Sequence, residues 1–291
     1  MGLFDMDGNP ITTSFFVNGQ ELFSAYDKAG NTISKTLKVM SFNVGCFYSQ
    51  YFPCPDNVTN EFYNRHRTIF NKHKPDLCGM PEWYDSIGSI SSDVLMDEFW
   101  KTYIANYEAY QGSSKPHNAI TFASKYPLSD ASITAYTNQA GETRYYQKAY
   151  LQIGNKKICF ANTHLGTSDI RNSQFVELLN MLENEEYFIA VGDFNFRIET
   201  AGDSEYDLSV QLAVNKGFNS AQSIDGIYMT GYHGETVESS TSITALDNII
   251  TSGNIKILSV EVDSTKITDG LCQENNIIID HLPLIATLTI D

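Results

Sequence analysis

The most telling absences in this 291-residue sequence are a long apolar run and an export leader. No segment reaches the roughly 18 consecutive apolar residues that a membrane-spanning helix needs. Residues 1–9 lack the basic start and the apolar stretch of a secretory signal peptide. The sequence therefore predicts no stable insertion into a membrane and favours the cytoplasm over export.

Cysteine is also scarce, and its spacing excludes two common uses. The chain has five cysteines, Cys46, Cys54, Cys78, Cys159 and Cys272. An odd number without closely spaced pairs argues against both a zinc site and a complete disulfide framework. Cys78 and Cys159 lie inside apolar runs, so we expect them to be small side chains of the core.

Positive charge is in short supply, with 19 Lys and Arg residues against 35 Asp and Glu residues and a formal net charge of −16. The electrostatic field of so negative a protein repels polyanions. Tight non-specific binding of nucleic acid is therefore disfavoured, and only weak or metal-assisted contact stays open. A Gly-rich phosphate loop is missing as well. Its absence argues against a doubly wound nucleotide-binding fold.

From Leu37 onward, short apolar runs alternate with stretches of helical spacing. The predicted strands are Leu37–Asn43, Leu77–Met80, Tyr103–Tyr110, Ala119–Ser124, Ala149–Ile153, Lys157–Thr163, Tyr187–Val191, Leu246–Thr251, Ile255–Val262 and Leu284–Ile290. The predicted helices cover Phe62–His73, Leu95–Phe99, Phe175–Leu182 behind a Thr167 or Ser168 cap, and Leu208–Lys216 before Gly217. Many strands and few helices favour two β-sheets packed face to face with helices outside, in one domain over residues 37–291.

The first 36 residues have a pattern of their own. Phe4, Asp5, Gly8, Asn9 and Ile11 recur at a spacing of 22 as Tyr26, Asp27, Gly30, Asn31 and Ile33. Short β-prone runs between Gly-Asn turns predict hairpin strands, which need another surface for stability. Two interpretations of residues 1–36 stay open: an attachment element that binds a protein partner, or an extension that covers a sheet edge.

Acidic and amide side chains follow several of the predicted strands. Glu82 and Asp280 lie at the ends of separate strands, and carboxylates from separate strands are the ligands that Mg²⁺ takes while it retains waters. Asp193 and Asn195 are two residues apart, so their side chains point the same way on an extended segment. One could accept a proton from water while the other donates to a phosphoryl oxygen.

Asn43 and His164 also lie at the ends of predicted strands, and each candidate residue taken alone has a structural interpretation. Asn43 and Asn195 suit turns at strand ends, Asp193 suits a turn or a helix cap, and His164 suits a structural role in the core. Their joint order along the chain is what predicts a single site.

Seven segments in order resemble the motifs of the endonuclease/exonuclease/phosphatase superfamily. They are SFNVG (41–45), PEW (81–83), HNAITFASKYPL (117–128), NTHLG (162–166), VGDFNFR (191–197), ALDNIIT (245–251) and IDHLP (279–283). The resemblance spans residue 37 to the end of the sequence. It implies a four-layer α/β/β/α sandwich, with two mostly antiparallel sheets between helices. It also implies hydrolysis of phosphoester bonds by direct attack of water activated by Mg²⁺, or by Mn²⁺ in its place.

The resemblance implies roles for the residues around the metal and the water. Glu82 would be the principal metal ligand, and Asp280 would lie beside the metal. Asn43 would orient Glu82 or the phosphate. Asp193 would orient or deprotonate the attacking water, while Asn195 would bind the phosphoryl oxygen.

Further roles concern the phosphate and the substrate. The resemblance implies that His164 contacts the phosphate or the leaving group. It makes Asp247 and His281 a hydrogen-bonded pair in which the carboxylate fixes the tautomer of the imidazole. His117 and Arg144 are candidate substrate contacts, and for His117 a place beside the following strand is an equal alternative.

The substrate is left open by these motifs. Pro81 stands where the superfamily usually has Gln, and Gly45 replaces an acidic or basic residue, which argues against an enzyme of DNA repair. The leading expectation is a phosphodiesterase or nuclease. A sphingomyelinase-like enzyme or a small-molecule phosphatase comes second, because an acidic surface suits a small substrate. A non-catalytic binding or attachment module is the alternative of another class.

Overall fold

The structure, a computed structural model, describes most of the chain from residue 35 onward. The described residues are 16–17, 20–21, 35–45, 60–82, 102–105, 120–139, 141, 143–167, 169–233, 242–264 and 281–290. The expected helix at Leu95–Phe99, the candidate residues His117 and Asp280, and Cys46, Cys54 and Cys272 lie outside these ranges.

Strands outnumber helices among the described residues, and both are numbered in chain order. The strands are β1 Phe16–Val17, β2 Gln20–Glu21, β3 Lys35–Ser41, β4 Leu77–Pro81, β5 Thr102–Ala105, β6 Ile120–Ser124, β7 Ser129–Ala135, β8 Tyr145–Ile153, β9 Lys156–His164, β10 Phe188–Ile198, β11 Asn219–Ser220, β12 Gly231–His233, β13 Ser242–Thr251, β14 Ile255–Val262 and β15 Leu284–Ile290. The helices are α1 Asn60–His73, α2 Asp169–Leu182, α3 Ser204–Tyr206 and α4 Leu212–Asn215, with π-helical Asp207–Gln211 between the last two and a 3₁₀ turn at Ala221–Ser223.

These strands form two main sheets. A seven-stranded sheet runs in the order β11-β13-β10-β9-β8-β7, with β12 also paired to β13, and a six-stranded sheet runs in the order β14-β15-β3-β4-β6-β5. The neighbours are antiparallel except for the parallel pairs β9 with β10 and β3 with β4. A separate antiparallel pair joins β1 to β2, with Phe16 opposite Glu21. A role of residues 1–36 as an extension stays a prediction.

The inner faces of the two sheets pack on each other. Alternate residues of each strand supply this core, including Val39 and Phe122 from one sheet and Phe160 and Val191 from the other. The rings of Phe122 and Phe160 lie 4.8 Å apart. Gly79 lies where the sheets approach closely, because a Cβ there would be 2.2 Å from Cγ2 of Val191. Two sheets packed in this way confirm the predicted sandwich.

Helices cover the outer faces. Phe175, Leu178, Leu179 and Leu182 of α2 are buried against the outer face of the seven-stranded sheet. On the other side, Phe70 of α1 packs on Phe42, at 6.0 Å between ring centroids. The expected α/β/β/α layering is therefore confirmed, and within the described residues no helix has the length and apolarity to cross a membrane.

Several boundaries differ from the sequence prediction. The strand β7 was not predicted, because its side chains are almost all exposed and give no alternation of apolar and polar residues. The strand β10 continues to Ile198, although Gly192 and Asn195 suggested a turn. The predicted strands β14 and β15 have the expected bounds, and Cys78 and Cys159 are buried as expected.

Candidate active site

Four strands deliver polar side chains to one end of the space between the sheets. Asn43 follows β3, His164 ends β9, and Asp193 and Asp247 lie within β10 and β13. Each lies an even number of residues from a core residue of its own segment, namely Val39, Phe160, Val191 and Ile249. Since side chains alternate along a strand, all four polar groups point inward like those core residues.

The register of β10 explains why three of these groups meet. Asp193 is paired with His164 of β9 on one side and with Asp247 of β13 on the other. Gly192 lies at φ 152°, and a Cβ there would be 2.1 Å from the carbonyl oxygen of Thr163. Glycine is therefore required at the position that brings Asp193 beside β9.

Two non-glycine residues near this point have left-handed backbone conformations. Glu82 lies directly after β4 at φ 57°, and Asn195 lies at φ 55° within β10. Such conformations cost of order 1–3 kcal/mol and persist where surrounding contacts hold them. The turn at Glu82 directs its carboxylate toward Asn43.

One amide links the two carboxylates of the site. Nδ2 of Asn43 donates to Oε1 of Glu82 at 3.2 Å and to Oδ2 of Asp193 at 3.0 Å. Its Oδ1 accepts the N–H of Gly45 at 3.0 Å, which fixes the orientation of the amide. Asn43 is fully buried. It therefore holds two acids from opposite sheets at a fixed separation.

Asp193 receives contacts from three directions. Its Oδ2 lies 3.3 Å from Nε2 of His164 and 3.4 Å from Nε2 of His281, in addition to the amide of Asn43. Its Oδ1 accepts the backbone N–H of Asn195 at 2.9 Å. Burial alone would raise the pKa of Asp193, but the charges of His281 and His164 and these hydrogen bonds hold its pKa well below the usual range.

His281 and Asp247 form a buried pair beside Asp193. Nδ1 of His281 lies 2.8 Å from Oδ2 of Asp247, with both side chains almost fully buried. Burial raises the pKa of Asp247, His281 lowers it in part, and the nearby charge of Asp193 raises it further. An imidazole that donates its Nδ1–H to Asp247 presents Nε2 to the space beside Asp193.

The donor set is suited to a divalent ion. Ligand atoms of Glu82, His164 and Asp193 all lie within 4.8 Å of one another. Carboxylate oxygens fit Mg²⁺, and carboxylates together with an imidazole fit Mn²⁺. The residues present, with Glu82 among them, therefore fit the group that the motifs imply, and the role of Glu82 as its principal ligand stays a prediction.

Two other candidates within the described ranges, Asn195 and Arg144, lie at the same end of the seven-stranded sheet. Nδ2 of Asn195 donates to the carbonyl oxygen of Leu165 at 2.8 Å, which places its amide next to β9. Arg144 lies directly before β8, where its backbone N–H donates to Oε1 of Gln139 at 2.8 Å. The role of Arg144 as a substrate contact stays a prediction.

Two further polar residues support the site and were not predicted. Nε2 of Gln222 donates to the carbonyl oxygen of Asp247 at 2.8 Å. Arg171 of α2 donates to the carbonyl oxygen of Asn195 at 2.5 Å and stacks over the ring of Phe196. A helical spacing that placed Arg171 beside the buried Phe175 was the signal available for it. Nothing local marks Gln222, because its partner is distant in sequence.

Comparison with protein-family models and with curated proteins found no match. Solved structures do match. An endonuclease/exonuclease/phosphatase from Bacteroides vulgatus superposes with a TM-score of 0.65 at 17% identity, over 88% of this chain and 100% of that one. Truncated TDP2 from Caenorhabditis elegans gives a TM-score of 0.62 at 16% identity, over 87% and 97%. The mannosyl-6-phosphatase Bt3783 from Bacteroides thetaiotaomicron gives 0.62 at 18% identity, over 87% and 99%.

These superpositions extend over most of both chains, although the sequences have diverged far. At such low identity the likeness concerns the path of the backbone and the order of its strands and helices. This chain therefore has the fold of the endonuclease/exonuclease/phosphatase superfamily.

Proposed function

We propose that this protein is a Mg²⁺-dependent phosphoester hydrolase, and that a phosphodiester is the substrate class to test first. The observation that carries the proposal is a connected cluster at one end of the sandwich, consisting of Asn43, Glu82, His164, Asp193, Asp247 and His281. The order of the motifs assigns phosphoester chemistry to these residue types. One neighbour of similar fold is described as a mannosyl-6-phosphatase, and this description supports phosphoester hydrolysis in general.

In the proposed mechanism, Glu82 would hold the divalent ion, and Asn43 would keep its carboxylate at a fixed distance from that of Asp193. The ion would supply charge neutralisation at the phosphoryl oxygens and at the departing oxygen. Removal of the ion should therefore abolish turnover while leaving the packed core of the sandwich in place.

Asp193 and His281 are placed to handle the attacking water. The carboxylate of Asp193 accepts N–H groups of Asn43 and Asn195, which favour its ionised form, and it can accept a hydrogen bond from water. Nε2 of His281 lies 3.4 Å from that carboxylate, so the proton of the water can pass toward the imidazole. Asp247 stabilises the imidazolium that forms, through the 2.8 Å contact to Nδ1.

The amide and imidazole groups on the other side would bind the substrate. His164 lies 3.9 Å from Glu82 and 3.3 Å from Asp193, so its ring faces the two carboxylates, where it would contact a phosphate held by the ion. Asn195 has one amide N–H on Leu165, and its second N–H can donate to a phosphoryl oxygen. Such fixed donors at a developing charge commonly contribute the largest part of catalysis.

The first test uses bis(p-nitrophenyl) phosphate and p-nitrophenyl phosphate with Mg²⁺, with Mn²⁺ and with chelator. We expect turnover with a divalent ion, loss in chelator, and recovery when the ion is added back. Glu82→Gln should reduce turnover strongly, because it removes one ligand charge. Glu183→Gln is the matched control, since Glu183 is an exposed acid paired with Lys216 far from the cluster. Equal activity of the two variants would contradict the proposal.

A second panel identifies the substrate class. Plasmid DNA, single-stranded RNA, sphingomyelin and a set of sugar phosphates are each incubated with the same preparation. Cleavage of the nucleic acids at low salt would support a nuclease, and activity on the sugar phosphates alone would support a phosphatase. Activity on none of them, together with measurable Mg²⁺ or Mn²⁺ binding, would overturn hydrolysis in favour of a binding module.

A further inference from the structure

We propose that Thr230 is a positioning residue for the Asp247–His281 pair, an inference that rests on the proposed function of that pair. Thr230 lies directly before β12 and is fully buried. Its Oγ1 accepts the backbone N–H of Leu246 at 3.1 Å and that of Asp247 at 3.0 Å. The hydroxyl therefore contacts the backbone of the residue whose carboxylate holds the imidazole.

The two N–H groups show that β13 is irregular at this point. Consecutive N–H groups of a regular strand point to opposite neighbours, so one oxygen cannot normally accept both. The ladder between β10 and β13 also shifts here, from Asp193 opposite Asp247 to Ile198 opposite Ala245. Thr230 supplies an acceptor where the regular pairing fails. The extra residues lie on β10, with five steps from Asp193 to Ile198 against two from Asp247 to Ala245, so Asp247 keeps the inward direction of its strand while Thr230 holds its backbone.

Thr230 is also connected to the other member of the pair. Its carbonyl oxygen accepts the N–H of Leu282 at 2.7 Å, and Leu282 directly follows His281. The next residue, Gly231, forms a β-bridge with His281 itself. A single buried residue thus fixes the backbone of the carboxylate through its hydroxyl and the backbone of the imidazole through its carbonyl group. The side chains of this pair come from segments 34 residues apart in the chain.

The chain offers a matched control for this hydroxyl. Thr244 lies on β13 beside Thr230, is 1% exposed, and has a buried hydroxyl without a hydrogen-bond partner among the described residues. Thr230→Val removes the hydroxyl at nearly constant volume and leaves the carbonyl contact to Leu282. Thr244→Val makes the same chemical change two residues before Leu246. Any difference between the two variants therefore reports the hydrogen bonds and not the loss of a buried hydroxyl as such.

The kinetic test compares Thr230→Val, Thr230→Ser and Thr244→Val with the wild-type protein on the diester substrate. We expect Thr230→Val to lower kcat by about 10- to 100-fold with a smaller change in KM, since displacement of a catalytic group by about 1 Å has effects of that size. Thr230→Ser keeps the acceptor and should restore kcat to within a few fold. Wild-type kcat in Thr230→Val, or equal losses in Thr230→Val and Thr244→Val, would overturn the inference.

A spectroscopic readout separates this inference from the proposed function. The ring proton between His281 and Asp247 should give a downfield proton resonance, assigned by its loss in His281→Asn. Thr230→Val should shift or broaden it, while Thr244→Val should leave it unchanged. That result supports the positioning role even if no phosphoester is hydrolysed, and an unchanged resonance in Thr230→Val overturns the role even if the enzyme is active.

If Thr230→Val does not fold, the serine and cysteine variants at this position test the same inference. Thr230→Cys and Thr230→Ser remove the same methyl group, but a thiol is a much weaker acceptor than a hydroxyl. We expect the cysteine variant to have the lower kcat and the more disturbed resonance. Equal behaviour of the serine and cysteine variants would overturn the inference.

Discussion

Two buried histidines in this protein each face carboxylates through both ring nitrogens. In the candidate active site, Nδ1 of His281 lies 2.8 Å from Asp247 and Nε2 lies 3.4 Å from Asp193. At the end of helix α1, His73 has the same kind of surroundings, with Asp263 on one nitrogen and Glu261 on the other. Judged by residue types and distances alone, the two clusters would be equally good candidates for an active site.

The His73 cluster differs in the partners that its two carboxylates contact. Nε2 of His73 lies 2.6 Å from Asp263, and Nδ1 lies 3.4 Å from Glu261, whose side chain is 60% exposed. Lys72 adds a cation at 3.0 Å from the same oxygen of Asp263. Asp263 therefore has Lys72 and His73 as partners, and Glu261 has His73 and solvent. These contacts join the end of α1 to the end of β14.

The active-site cluster leaves its acids directed at a shared space. Asp193 and Glu82 are joined by the amide of Asn43, and both lie within reach of one ion with His164. In the His73 cluster each carboxylate already faces a cation or solvent. The comparison teaches that a His–Asp pair indicates chemistry only where the groups around it converge on a position that a ligand can occupy.

The largest expected difference is in turnover. His281→Asn should lower kcat by about 10²- to 10⁴-fold, because it removes the group that takes the proton in the proposed mechanism. His73→Asn should change kcat by less than about threefold, since His73 contributes to the join between helix and strand and not to the reaction. Steady-state kinetics on the diester substrate check both variants. A folded His73→Asn protein without activity would break the comparison.

The next largest difference is in stability. Asp263→Asn should lower the free energy of unfolding by about 3 kcal/mol, since it removes the buried carboxylate that the ring of His73 contacts at 2.6 Å. Glu261→Gln is the matched control, and because Glu261 is exposed it should cost less than about 1 kcal/mol. Urea titration measures both variants. Losses of equal size would mean that burial does not distinguish the two carboxylates.

Much of the fold was predictable because burial leaves a pattern in the sequence. The strand β15 follows an apolar run directly, and α2 follows the spacing of Phe175, Leu178, Leu179 and Leu182. The strand β7 could not be predicted, because it lies at a sheet edge and pairs only with β8 among the described strands, with almost every side chain exposed. A strand without a buried face has no period to detect.

The sequence was enough to select residue types for the candidate site, but not to predict the contacts that hold those residues in place. Asp193 and Asn195 were recognised from their spacing and from the motif around them, but the continuation of β10 through both residues was not. That path depends on Gly192 fitting against Thr163 and on Arg171 holding the carbonyl oxygen of Asn195. Contacts of this kind join segments far apart in the chain, so a single sequence holds no local sign of them.

The cation beside each cluster extends the comparison. Arg171 is 12% exposed, donates to Asn195 and pairs with Glu205, whereas Lys72 is 57% exposed. Arg171→Met should lower the free energy of unfolding by about 2 kcal/mol and reduce kcat more than it raises KM, because it releases the backbone at Asn195. Lys72→Met should cost less than about 1 kcal/mol and leave kcat unchanged. Urea titration and kinetics together test both, and an active-site effect of Lys72→Met would count against the distinction.

The smallest expected loss of stability is at Asp203, a carboxylate without a histidine partner. It serves as a reference for the losses at the two clusters. Asp203 caps α3 and accepts the N–H groups of Thr200, Glu199 and Tyr206. Asp203→Ala should cost about 1 kcal/mol at neutral pH, as is usual for the loss of an N-cap. Urea titration at pH 7 gives this value, and wild-type stability of the alanine variant would contradict the role of the cap.

The pH dependence of this cap follows from the direction of its pKa. Burial raises the pKa of Asp203, but the N–H groups of Thr200, Tyr206 and Glu199 together outweigh burial and lower it overall. A carboxyl whose pKa is depressed in the folded state stabilises the protein above its unfolded pKa, about 3.9, and loses that contribution as the pH falls through the folded value. The difference in stability between wild type and Asp203→Ala should therefore narrow below about pH 4. Asp203→Asn keeps an acceptor that does not titrate, so its stability should depend less on pH than that of the wild type, and an identical pH dependence would exclude the Asp203 carboxylate as the source.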